Sequence, residues 1–217
     1  MPEFTRNWFA PHIPKWSDLL RPLKGVAGLS FLEIGTQEGA CAYWLMTNIL
    51  TDPTARLYCI DPFLSADELY QRNRSNLSEF GDRVILFRER SAVALKSAEL
   101  QSKTFQLIYI DGSHLACDVL QDAVLSFPLL DVGGIMIFDD YMWNPVARET
   151  TPALTPKIAI ESFLRCYDGH YALIDLGTQV IIQKTLPANI RQVYIKSMEA
   201  NAASSQISQD VSSYNNK

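Results

Sequence analysis

A chain of 217 residues has room for one domain with a sizeable core and none for a second catalytic domain. Hydrophobic residues at 47%, charged residues at 20% and a formal charge of −5 are ordinary globular values, and they offer no basic face for a phosphate backbone, so nucleic acid is not an expected partner. No apolar run approaches the ~20 residues of a membrane span, and the charged, proline-bearing start "MPEFTRNWFAPHIPKW" lacks the apolar run of a secretory signal.

The expectation is a soluble, cytoplasmic protein with no membrane partner. Four widely spaced cysteines, Cys41, Cys59, Cys117 and Cys166, contain no Cys-x-x-Cys pair, which argues against a zinc site and a disulfide framework and suits a reducing compartment.

In chain order, residues 1–29 form an aromatic and helical cap. "NWFAPHIPKW" carries Trp8, Phe9, His12 and Trp16, and "WSDLLRPL" reads as a helix over a sheet. The aromatics can close over a substrate, cover the sheet edge or form a homodimer contact, and nothing in the sequence fixes His12 near a substrate.

Residues 30–185 are the main domain, where short apolar runs alternate with amphipathic helical segments. The runs "SFLEI" (30–34), "RLYCI" (56–60), "RVILF" (83–87), "QLIYI" (106–110) and "GIMIF" (134–138) are continuously apolar, as in parallel strands covered on both faces.

Ala42, Leu45, Met46, Ile49 and Leu50 share one helical face, as do Ile160, Phe163, Leu164 and Tyr167. "HLACDVLQDAVLSFPLL" predicts a helix through about Phe127, ended by Pro128. The fold class is therefore α/β, with a doubly wound, mostly parallel sheet.

"HYALID" and "QVIIQK", joined by "LGT" (176–178), are too close for a parallel crossover and predict a terminal antiparallel hairpin. Residues 186–217 read as an extension, largely disordered after 197.

Chemistry gathers at the ends of the strands. "FLEIGTQEGA" puts Glu33, Gly35 and Gly39 where the first strand turns into a helix, with Gly35 allowing a tight turn and close approach of a ligand. Asp61 ends the second strand, where doubly wound nucleotide folds place a ribose acceptor. A dinucleotide loop would show Gly-x-Gly-x-x-Gly; here Gln37 replaces the central glycine and Glu38 sets a charge against phosphates. Adenosine with a cationic amino-acid tail suits the loop better.

These segments together resemble the class I S-adenosylmethionine-dependent methyltransferases over roughly residues 30–184. "LEIGTQEG" is similar to the first motif, "CIDPF" to the second-strand acid and "YIDGSH" to the fourth-strand motif; the hairpin matches the reversed strand of a seven-stranded sheet. The resemblance implies S-adenosyl-L-methionine as cofactor, with Glu33, Gly35, Thr36, Gln37 and Gly39 along its methionine portion and Asp61 at its ribose. Ser91 would sit near the adenine and reads equally as a helix N-cap.

Asp111 ends the fourth strand and Asp139 and Asp140 follow the fifth, so parallel neighbours bring these acids to one sheet edge, provided the strand stops at Phe138. Three carboxylates there repel one another unless a cation intervenes, and Mg²⁺ or another divalent ion suits oxygen ligands. The trio resembles the metal site of the macrocin and novobiocin type (family 24) O-methyltransferases. Related sugar methyltransferases carry an acid two residues after the first aspartate; Ser113 stands there, which leaves His114, beside Asp111, as the candidate base. Its other reading is a helix-start residue bonding locally.

The expectation is methyl transfer to an oxygen, hydroxyl or carboxylate, of a small-molecule acceptor, with the loop 141–156 over it. The alternatives are an NAD(P)-dependent oxidoreductase and a non-catalytic S-adenosylmethionine-binding module.

Overall fold

The continuous apolar runs become strands because helices cover them from both sides. In the computed structural model, which describes residues 2–64, 67–144 and 151–185, β1 (Ser30–Ile34) and β2 (Arg56–Ile60) have the bounds expected from sequence. β3 (Val84–Phe87), β4 (Phe105–Ile110) and β5 (Leu130–Phe138) follow, with β5 starting at Leu130 rather than Gly134 and stopping at Phe138. The hairpin strands are β6 (Tyr171–Leu176) and β7 (Val180–Lys184).

The seven strands lie in the order β3-β2-β1-β4-β5-β7-β6. β1 to β5 are parallel, and β7 runs antiparallel to both β5 and β6. The hairpin is terminal as expected, but the reversed strand is β7, inside the sheet, and β6 forms the edge.

α1 (Ile13–Leu19) follows a 3-10 turn at Ala10–His12. α2 (Ala40–Asn48), α3 (Asp67–Asn76), α4 (Ser91–Ala94), α5 (Ala98–Gln101), α6 (Ala116–Ser126) and α7 (Pro156–Cys166) occupy the crossovers. Pro128 sits in a 3-10 turn directly after α6. Among the described residues no helix is long and apolar enough to cross a membrane.

Alternate strand residues feed two cores. Leu32, Ile60, Ile108, Ile110, Met136 and Phe138 pack with α6 and α7. Phe31, Leu57, Leu107, Tyr109 and Ile137 pack with α2 and with Phe9, Trp16 and Leu20 of the leader. The leader is thus part of the second core. Trp16 is fully buried and donates from Nε1 to Gln179 Oε1 at 2.9 Å, and Lys15 pairs with Asp175 at 2.5 Å.

The loop 141–156 falls partly, at 145–150, and the extension 186–217 entirely, outside the described residues.

Candidate active site

The ladder continues one residue beyond four strands, which aligns the chain's chemistry. Gly35 N–H donates to Ile60 O, Asp61 N–H to Phe87 O, Asp111 N–H to Ile34 O and Asp139 N–H to Ile110 O. The strand order reverses between β1 and β4, so a crevice opens there, where open α/β sheets bind ligands.

Gly35 (φ +92°) closes the floor of that crevice. A Cβ there would stand 2.0 Å from the Asp111 carbonyl oxygen, so the close approach requiring glycine is made by the β4 loop. Gly39 (φ +83°) is the N-cap of α2.

Glu33, Gly35, Thr36 and Gln37 line a cavity of about 490 Å³ that also reaches Cys41, Asp111, His114, Asp139 and Asp140. Glu33 is buried beside Thr36, Cys41 and Cys59, with Cys59 Sγ at 3.5 Å from its Oε2. Burial raises its carboxyl to about 7, against the hydrogen bonds of those neighbours.

Two expectations at this end, for the charge of Glu38 and for Ser91 as an N-cap, need correcting, and Asp61 ties two loops together. Asp61 lies outside the cavity lining, because its two carboxylate oxygens accept backbone N–H groups of Gln37 (2.9 Å) and Phe63 (2.7 Å) and tie the first loop to the second. Glu38 presents no free charge: Arg72 Nη1 lies 2.6 Å from its Oε1, and Thr5 donates from N–H and hydroxyl, so Glu38 gives no argument against phosphates. Ser91 is not an N-cap; Arg90 holds that position of α4 without a side-chain capping bond, and the Ser91 hydroxyl bonds Asp122 of α6, a buried acid that burial raises to about 7.

The acids divide differently from the expected trio. A left-handed residue at Asp140 (φ +56°) follows the end of β5 and turns the Asp140 carboxylate toward the β4 loop. There Asp140 Oδ2 lies 2.7 Å from His114 Nε2, and Asp111, His114 and Asp140 bring one ligand atom each within 4.8 Å of one another.

Asp139 is not in this set. Its Oδ1 accepts the Asp140 N–H at 2.8 Å and its Oδ2 the Tyr109 hydroxyl, while His12 Nε2 lies 3.8 Å from Oδ1. His114 therefore faces Asp140, with its ring centroid 4.2 Å from that of Trp143 and tilted by 45°; the local bond at the start of α6 is Leu115 N–H to Ser113 Oγ.

Sequence reading missed Tyr109. Its hydroxyl lies between Asp139 and Asp111, 3.0 Å from Asp111 Oδ2, yet it carries one proton. Burial first, then Asp139 and Asp140, hold the Asp111 carboxyl well above the carboxylate range. The phenol can therefore donate to only one of the two carboxylates at a time. An apolar strand residue two before an acid gave no such signal.

A family model described as a methyltransferase domain matches residues 32–141. The chain belongs to this methyltransferase family, and its sheet is the Rossmann-like methyltransferase fold.

An uncharacterized protein, R132, of Acanthamoeba polyphaga mimivirus is 27% identical over 138 residues, 60% of this chain and 60% of that protein, so the match spans less than two thirds of its curated relative. Among solved structures, the O-methyltransferase from Bacillus cereus in complex with SAH is 18% identical over 79% of this chain and 81% of that one, at a TM-score of 0.59. MycE methyltransferase of the mycinamycin biosynthetic pathway, solved with Mg, SAH and mycinamycin VI, is 16% identical over 87% of this chain and 52% of that one, also at 0.59. At these identities the likeness is one of fold.

Proposed function

We propose that the protein transfers a methyl group from S-adenosylmethionine to a hydroxyl or carboxylate oxygen of a small molecule, assisted by a divalent cation. The observation that carries this reading is one continuous cavity that joins the Glu33–Gly35–Thr36–Gln37 loop to Asp111, His114 and Asp140. The Bacillus cereus O-methyltransferase solved in complex with SAH and the mycinamycin enzyme solved with Mg and SAH support it.

The first loop fits the donor's charges. Glu33 offers a buried carboxylate to the cationic amino-acid end, Thr36 and Gln37 line the wall beside it, and Asp61 holds the loop against the second strand. Asp61 oxygens keep a second lone pair each, the role proposed for them toward a ribose hydroxyl. Ser91, at the start of α4 after β3, bonds Asp122 and is proposed to lie near the adenine.

Asp111, His114 and Asp140 fit a cation by their donor set: two carboxylates and an imidazole, short of positive charge. A bound divalent ion would lower the pKa of a coordinated hydroxyl and orient it. The nitrogen donor suits Mn²⁺ or Fe²⁺ as well as Mg²⁺. The chain's own residues bring two reactants to one place beside the aromatic side chains of Phe9, Trp8 and Trp143, and proximity alone contributes ~7–11 kcal/mol.

Calorimetry with S-adenosylmethionine, SAH and NAD tests the reading. The expected result is binding of the first two; NAD binding without them overturns it.

A further inference from the structure

Two imidazoles face the cavity, and they are not equivalent. His114 Nε2 is directed at Asp140 within the cluster proposed to hold a cation, where its lone pair is consumed as a ligand. His12 stands apart from that cluster. It lies where two cavities meet: the one with the first loop, and an outer one of about 450 Å³ lined by Pro11, Lys15, Met142 and Thr178. The two share His12, Asp139, Asp140 and Trp143.

The position of His12 is fixed from both sides. Its backbone N–H donates to Phe9 O at 2.9 Å, Phe9 is buried with its ring centroid 4.9 Å from that of Trp16, and Trp16 is held by Gln179. One turn along, Lys15 is tied to Asp175 of the hairpin. The groups facing the ring are Asp139 Oδ1 at 3.8 Å and the Phe9 ring at 6.4 Å, with Asp140 and Lys15 on the same outer wall. Asp139 is itself held by Tyr109 and the Asp140 N–H, so it keeps a carboxylate oxygen toward His12.

We infer that His12 is a catalytic residue, whose imidazole takes the proton of the acceptor hydroxyl where the two cavities meet. This rests on the methyl-transfer reading above. The acceptor oxygen forms the new O–CH₃ bond, the C–S bond of the sulfonium donor breaks with its electron pair remaining on sulfur as SAH, and the hydroxyl proton moves to His12, whose imidazolium then faces Asp139.

The test uses full-length wild type and His12→Gln with SAH bound, no metal, and 4-nitrophenol, whose visible absorption reports ionisation. Wild type is expected to bind the probe and lower its ionisation midpoint by about one pH unit, and His12→Gln to lose that shift while binding SAH with unchanged affinity. In a separate assay with S-adenosylmethionine and Mg²⁺ in place of SAH, methylation of the same probe should fall about 10²–10⁴-fold in the variant below the probe's ionisation and converge with wild type above it, because the proton has then already left. A gap equal at all pH, an unshifted wild-type probe, or a variant indistinguishable from wild type overturns the assignment. Failure of wild type to bind SAH overturns the methyl-transfer reading instead.

Discussion

The Asp111 carbonyl oxygen occupies the space a Cβ on Gly35 would need, 2.0 Å away, so the β1 and β4 loops meet backbone to backbone at the crevice. Gly35 also has φ +92°, which L side chains rarely adopt. Gly35→Ala must push the two loops apart and strain the turn. Each effect costs ~1–3 kcal/mol, so a loss of about 3 kcal/mol is expected, with Tm falling by roughly 6–12 °C. Thermal unfolding and SAH calorimetry check this: an unchanged Tm with unchanged SAH affinity would show that the loops yield freely.

Glu33 makes cofactor binding depend on pH. Its folded value is raised to about 7 by burial, above the ordinary 4.5, so the folded state binds the extra proton. For the ligand-free protein its contribution to stability therefore falls as pH rises from 4.5 to about 7 and is level above that. A cationic ligand group needs the ionised form. SAH should bind about tenfold more weakly at pH 6 than at pH 8, with proton release near pH 6 visible as a buffer-dependent calorimetric enthalpy. Glu33→Gln should abolish that proton release; its persistence would place the titration elsewhere.

The cation site separates two adjacent aspartates. Asp140→Asn and Asp111→Asn remove a donor from the set and should weaken Mn²⁺ binding by about 10–100-fold, whereas Asp139→Asn should change it far less. Titration of Mn²⁺ into the SAH complex measures this, and EDTA should abolish methyl transfer with Mn²⁺ or Mg²⁺ restoring it. Equal loss in all three variants would return Asp139 to the ligands.

The sheet was legible because its signal is local. Continuous apolar runs such as 30–34 and 56–60 have the bounds of β1 and β2, and "LGT" identified the hairpin. α3 was not legible: "DELYQRNRSN" shows no apolar stripe because its buried residues are Asn73 and Asn76. They are buried to hydrogen-bond, Asn73 Nδ2 to Gln37 O and Asn76 to Glu38 O and Glu3.

The acids themselves were read, but the division between Asp139 and Asp140 depends on one left-handed dihedral at Asp140, which no spacing encodes. Tyr109 and His12 gain their places from tertiary contacts, one through a carboxylate pair and the other through the docked leader.

That leader is fastened to the first loop through Glu38, which gives the last prediction. Glu38 accepts from Thr5 N–H and hydroxyl and from Arg72, each at 2.6 Å, and these donors lower its carboxyl against the opposing effect of burial. Its contribution is thus present above the ordinary value of 4.5 and lost as pH falls through the lowered one.

Arg72 is 35% exposed, so solvent screens part of the pair; Glu38 is 8% exposed, so losing Arg72 leaves an acid with too few donors. Arg72→Ala should cost about 1–2 kcal/mol, and Glu38→Gln with Arg72→Ala less than the sum of the two, with a coupling of at least about 0.5 kcal/mol. Both single variants should also speed tryptic cleavage after Arg6 at pH 8, and SAH should slow it, because the leader and the ligand share one loop. Additive stabilities together with wild-type cleavage rates would mean that Glu38 does not hold the leader.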